Sequence, residues 1–237
     1  MIRIGTSGWS YDHWFSDFYP KSLPKKKAFE YYQSRFDTVE LNVSFYRLVP
    51  EKTYEAWHQK VKPDFLFAVK GSRYITHIKR LKDFEASLDR FFQTINGLAG
   101  NLGPVLFQLP ANYHKNTVVL KIFIEGLPKH KRYAFEFRHK SWFEADTYSL
   151  LRENNIALAI SHSPRFPYSE ELTADFVYLR LHGPGALYAG NYSDGELKEF
   201  ASKISGWAAG GHDVFAYFNN DAHAYAPKNA LKLLELI

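Results

Sequence analysis

The regular alternation of short β-type runs with amphipathic helical stretches constrains this chain more than any other feature. Runs rich in β-branched and aromatic residues fall at 2–5 (IRIG), 38–42 (TVELN), 65–70 (FLFAVK), 104–109 (PVLFQL), 132–138 (RYAFEFR), 156–161 (IALAIS), 176–182 (FVYLRLH) and 213–219 (DVFAYFN). Helical periodicity occupies 24–36, 51–61, 83–99, 116–126, 142–154, 194–208 and 222–236. Such alternation is the pattern of parallel βαβ units. One helix is missing: 161–175 carries Pro164, Pro167 and several polar residues and reads as a long loop. Eight units in 237 residues predict one α/β domain over 1–237. The expected fold is a single (β/α)8 TIM-type barrel with the helix after the sixth strand replaced by a loop. A doubly wound nucleotide-binding sheet fits less well. Gly5-Thr6-Ser7-Gly8-Trp9, after the first strand, matches neither GxGxxG nor a P-loop.

Side chains alternate along a strand, so parity sorts each run into a helix-facing and an inward set. In the fifth strand Tyr133, Phe135 and Phe137 face the helices, leaving Glu136 and Arg138 inward at the strand end. The seventh sends Tyr178, Arg180 and His182 inward, and the second Glu40 and Asn42. Lys70 ends the third strand, Gln108 the fourth, and Asn219 and Asn220 follow Tyr217 on the eighth. Polar groups therefore collect at the C-terminal ends of six strands, where the βα loops of a barrel build a site. A purely structural network of Glu40, Glu136, Lys70, Arg138 and Arg180 is the competing reading. It is a costly device, because each buried ion loses several kcal/mol of solvation.

Composition removes several chemistries. With no cysteine, disulfides, thiolate zinc sites, iron–sulfur clusters and cysteine nucleophiles are excluded. The sequence shows no leader-like apolar segment at Met1 and no membrane-length apolar run, so a cytoplasmic protein is expected. The formal charge of +5 leans towards anionic partners. The densest basic run, Lys25-Lys26-Lys27, reads as a solvated helix start.

The segments IGTSGWSY (4–11), FYP (18–20), FDTVELNVSFYRL (36–48), FAVKGSRYITH (67–77), LGPVLFQLP (102–110), EFRHKSW (136–142), TADFVYLRLHG (173–183) and YFNND (217–221) resemble the YecE-like proteins, domain-of-unknown-function family 72. The resemblance spans the chain from its first strand to its last helix. It implies a TIM-type barrel and no established activity. Its motif positions coincide with Glu40, Asn42, Lys70, Gln108, Glu136, Arg138, Arg180, His182 and Asn219. Where many relatives carry an Asp after the sixth strand, this chain has Ser161-His162.

Three function classes follow. The first is a hydrolase-like enzyme binding a phosphate-bearing or other anionic small molecule, with Glu136, Glu40 and His182 as acid–base candidates. Lys70, Arg138 and Arg180 would hold the anion, and Asn42, Gln108, Asn219, Asn220, Trp9 and Tyr46 would orient it. The second is a nucleic-acid-binding protein or nuclease, using rim aromatics with Arg47, Arg73, Lys79, Arg80 and Arg165. The third is a non-catalytic binding or scaffold barrel. A glycosidase pair of Glu40 and Glu136 is disfavoured, because surrounding cations keep both ionised. No cofactor is expected. A divalent metal would have to use Glu40, Glu136, His182, His77 or His139, and no HExxH or paired-Asp loop supports one. The loops 161–175 and 183–191 are expected to form a mobile lid.

Overall fold

A computed structural model describes residues 1–237. The strands lie within a residue or two of their expected places: β1 (Ile2–Thr6), β2 (Thr38–Leu41), β3 (Leu66–Lys70), β4 (Leu102–Gln108), β5 (Tyr133–Glu136), β6 (Ala157–Leu158), β7 (Ile160–His162), β8 (Phe176–Leu181) and β9 (Asp213–Phe218). The expected sixth strand is thus broken at Ala159 into β6 and β7. The helices are α1 (Ala28–Gln33), α2 (Val43–Tyr46), α3 (Glu51–His58), α4 (Glu85–Ile95), α5 (Thr117–Glu125), α6 (Ala145–Glu153), α7 (Asp194–Ala209) and α8 (Tyr225–Leu234). Seven of them match the sequence expectation; α2 is a single turn that periodicity did not reveal. No helix lies between β7 and β8, as expected.

Pairing is parallel throughout the defined ladders, in two sheets of order β1-β9-β8-β7 and β2-β3-β4-β5-β6. The fold is α/β, and these ladders do not close into the single eight-stranded barrel expected from the alternation. The break at Ala159 has a local cause. The Leu158 amide donates to Thr173 Oγ1 at 2.7 Å, and that hydroxyl donates to the Ile156 carbonyl at 2.7 Å. The loop supplied by 163–175 thereby takes hydrogen-bonding groups that a neighbouring strand would otherwise use. No helix is long and apolar enough to cross a membrane.

The residues gather into two compact units. One comprises Met1–Glu40, Ile160–Tyr168 and Asp175–Ile237. Its core joins Ile4, Val177, Leu179, Val214 and Phe218 to Leu197 and Ile204 of α7 and Leu233 of α8, all buried. The start of α7 is fixed by a capping box, with Ser193 accepting from the Glu196 amide and Glu196 accepting from the Ser193 amide. The basic run 25–27 is an exposed 3₁₀ turn in which Lys25 pairs with Asp12 at 2.7 Å and Lys27 with Glu30. That accounts for it as solvated surface.

The other unit comprises Leu41–Ala159 and Ser169–Ala174. Its sheet packs an aromatic layer against the helices: Phe107 lies 5.0 Å from Phe123 of α5 and 5.6 Å from Phe135. Phe137 stacks on buried Trp142 at 4.6 Å, and the indole N–H donates to the Tyr113 carbonyl at 2.7 Å. Tyr133, Phe135 and Phe137 therefore face the helices, as parity required, and the even-numbered residues of β5 point the other way.

Candidate functional site

Each unit carries its own cluster of strand-end polar side chains. In the Met1–Glu40 unit, Glu40 is completely buried. Its Oε1 accepts from Arg180 Nη2 at 2.7 Å and Ser7 Oγ at 2.6 Å, and its Oε2 from Arg180 Nε at 2.9 Å and Tyr178 O–H at 2.8 Å. Four donors, two on one guanidinium fork, meet this carboxylate. Burial, then the negative charge of Glu40, pushes the Tyr178 hydroxyl far up, so it remains a donor. The arrangement suits orientation rather than proton transfer: Glu40 fixes Arg180, and Arg180 Nη1 faces His182 Nε2 at 3.5 Å.

Asn219 Nδ2 lies 3.1 Å from His182 Nδ1. The Tyr188 ring covers the imidazole at 5.4 Å. Asn220 is buried but committed elsewhere: its Nδ2 donates to the Gly190 carbonyl and to Asn229 Oδ1, both at 2.9 Å. It organises the loop after β8, whose second residue must be glycine. Gly183 has φ +107°, and a Cβ there would sit 1.9 Å from the Ala189 carbonyl oxygen. Trp9, half-buried, packs on Phe29 at 4.6 Å.

In the Leu41–Ala159 unit the register pairs Gln108 with Glu136 and Lys70 with Leu106, so one face carries Lys70, Gln108 and Glu136. Glu136 is fully buried. It accepts from Gln108 Nε2 at 2.9 Å on both oxygens and from Arg138 Nε at 2.7 Å. The Lys70 ammonium lies 4.1 Å from the centroid of the Phe45 ring, a cation–π contact in a largely dry setting. Phe45 in turn meets the imidazole of His77 edge-on at 5.0 Å. Asn42 caps the one-turn helix α2 in sequence position but makes no side-chain cap.

His77 is the residue that sequence reasoning undervalued. It lies on the π-type turn Tyr74–Ile78, two turns of chain beyond β3, where strand parity has no reach. Its presence in the GSRYITH stretch after Lys70 was the available signal. Burial, then the charges of Lys70, Arg138 and Arg73, pull its imidazole from 6.5 down to about 4, with Glu136 opposing them. Thr76 Oγ1 donates to the Ser72 carbonyl at 3.2 Å and lies 2.9 Å from His77 Nδ1. With the hydroxyl proton so placed, Nδ1 carries the ring proton and Nε2 the lone pair. The result is a neutral imidazole with a basic nitrogen, beside three cations and one carboxylate.

That shift has a stability consequence of definite sign. The unfolded chain takes up the proton first as pH falls, so His77 lowers stability progressively from about pH 6.5 to about pH 4 and contributes no further change below that. Urea denaturation across this window should show a smaller pH slope in His77→Gln than in the wild type. Equal slopes would mean that the imidazole is not held neutral.

The remaining expected groups divide. Arg47, Arg73 and Lys79 line a groove beside Tyr46. Arg80 instead lies over Tyr113 at 5.7 Å and Arg165 over its neighbour Phe166 at 5.9 Å. No three His, Asp or Glu side chains gather as a metal-ligand set.

Parallel strands alternating with helices, with ionic side chains gathered at strand C-terminal ends, define an α/β protein of the kind that places its sites at strand ends. The family whose model matches residues 3–237 is described as a protein of unknown function, DUF72, and the chain belongs to it. A curated relative, UPF0759 protein YunF of Bacillus subtilis, is 26% identical over 270 aligned residues, covering 100% of this chain and 95% of that protein. A DUF72 family protein from Thermotoga maritima shares 29% identity at a TM-score of 0.91, covering 100% of this chain and 98% of the other. A DUF72 family protein from Enterococcus faecalis has the same fold at 19% identity and a TM-score of 0.87, covering 100% and 95%.

Proposed function

We propose that this protein binds a phosphate-bearing or otherwise anionic ligand at the strand ends of the Leu41–Ala159 unit and hydrolyses it. One observation carries the reading: Lys70, Arg73 and Arg138 act on the same half-buried imidazole against a single carboxylate, Glu136. A site with that excess of cations favours an added anion. Glu136, already accepting three hydrogen bonds, orients Gln108 and Arg138. His77 Nε2 is the candidate general base. In the hydrolysis, water oxygen forms the new bond to phosphorus and His77 takes the water proton. The ester P–O bond breaks, and its electrons stay on the leaving oxygen, which is protonated by solvent.

The supporting experiment is calorimetric titration with a mononucleotide and its nucleoside. The mononucleotide should bind at least about tenfold more tightly, the worth of one charge-assisted hydrogen bond, and Arg138→Met should erase most of the difference. Equal affinities in the wild type would remove the anion site.

A further inference from the structure

Beside the His77 cluster, and sharing Arg73 with it, the same unit carries a groove of about 850 Å³. Its walls come from the residues after α2, the turn after β3 and the exposed side of α4. Four cations line it, Arg47, Arg73, Lys79 and Arg90, against one acid, Asp83, which lies 3.7 Å from Lys79. Two tyrosines on its walls are held out into solvent, Tyr46 at 71% exposure and Tyr74 at 46%. A solvated lysine or arginine is ordinary surface, whereas large exposed rings set among cations are not.

The backbone of this wall is also held in an unusual form. Tyr74–Ile78 is a π-type turn, a geometry enriched at functional sites. Directly after it Arg80, Leu81 and Asp83 adopt φ of 51°, 62° and 41°. Three non-glycine residues in left-handed conformations within four positions cost free energy that packing elsewhere must offset, and such strain concentrates where ligands are held.

We propose that this groove binds single-stranded nucleic acid. A cationic channel that follows the phosphates, with exposed rings on which unpaired bases stack, is the combination such strands require. A duplex would leave the rings without base faces, and an acidic peptide would use the charges but not the tyrosines. The groove is continuous with the anion cluster. Tyr46 packs edge-on against Phe45 at 5.1 Å, and Phe45 carries Lys70 and His77. A strand lying in the groove would thus lead a phosphate towards His77. The inference rests on the proposed hydrolysis only for the fate of that phosphate; binding in the groove stands without it.

Fluorescence anisotropy with a labelled oligothymidylate of about ten nucleotides tests it, with a matched duplex and polyglutamate as competitors. The wild type should bind the single strand with a log–log salt slope of roughly −3 if all four cations meet phosphates. Arg47→Ala with Arg90→Ala should halve that slope to about −1.4. Tyr46→Ala with Tyr74→Ala should weaken binding at least about tenfold at unchanged slope, and the matching pair of phenylalanine substitutions should restore it. All four side chains are exposed, so these variants keep the fold. Oligothymidylate bound no better than polyglutamate or duplex, or wild-type affinity in both double variants, would overturn the proposal. His77→Ala with Arg138→Met separates the two readings. If that variant keeps oligothymidylate affinity while the wild type shows no preference for the mononucleotide over its nucleoside, the groove stands and the anion site falls.

Discussion

Arg180→Ala is expected to lower stability by about 3–5 kcal/mol with no ligand present, the cost of leaving a buried charge without its partner. Glu40 has no exposure and Arg180 only 1%, so water does not replace the guanidinium. Tyr178 and Ser7 would still donate to the carboxylate, but both are neutral and neither cancels its charge. For a chain of this length the loss corresponds to roughly 6–20 °C in Tm, a large share of the ~5–15 kcal/mol that natural domains possess. Urea denaturation should show the lower midpoint at unchanged m-value. Replacing both partners, Glu40→Gln with Arg180→Met, should recover most of the loss, because the pair's desolvation cost disappears with its attraction. A single-variant loss below about 1 kcal/mol would show that the pair behaves as a solvated surface bridge. Sequence reasoning offered Arg180 for ligand binding; in the structure its Nε and Nη2 donate to Glu40 and its Nη1 faces His182.

His77→Ala should reduce hydrolysis of a phosphate ester such as p-nitrophenyl phosphate by about 10²–10⁴-fold, the usual contribution of a positioned general base. The ground for this large effect is the neutral ring with its lone pair on Nε2, set by burial, by the neighbouring cations and by the Thr76 hydroxyl. For the free enzyme, kcat/KM should be flat from neutral pH downward and fall only near pH 4, where the imidazole protonates. Thr76→Val should move that inflection while leaving the fold intact, since Thr76 positions the ring and takes no proton itself. Unchanged kcat in His77→Ala would exclude the residue as the base. An inflection near 6.5 would show that neither burial nor the cations act on it.

Most of the architecture was legible because strand and helix periods are local properties. The runs at 104–109 and 213–219 became β4 and β9 nearly residue for residue. The loop at 161–175 was legible from its prolines. The break at Ala159 was not, because it depends on Thr173 reaching back to Leu158 from fifteen residues away. Parity likewise placed Gln108, Glu136 and Lys70 on one face, yet it has nothing to say about turns. His77 and the strained segment at Arg80–Asp83 therefore escaped it.

The order of strands and helices, the charged strand ends, the absence of thiol chemistry and membership of the DUF72 family were all determined by the sequence alone. Periodicity, composition and motif order need no knowledge of distant contacts. Only the tertiary structure decided how the charges pair. It divided one list of inward residues into a saturated pair at Glu40–Arg180 and a cation-rich cluster at Glu136, Arg138 and Lys70, to which the turn after β3 adds His77. Ion pairing and burial depend on distances of a few ångströms between residues as far apart in sequence as Glu40 and Arg180, and local pattern carries no such distance.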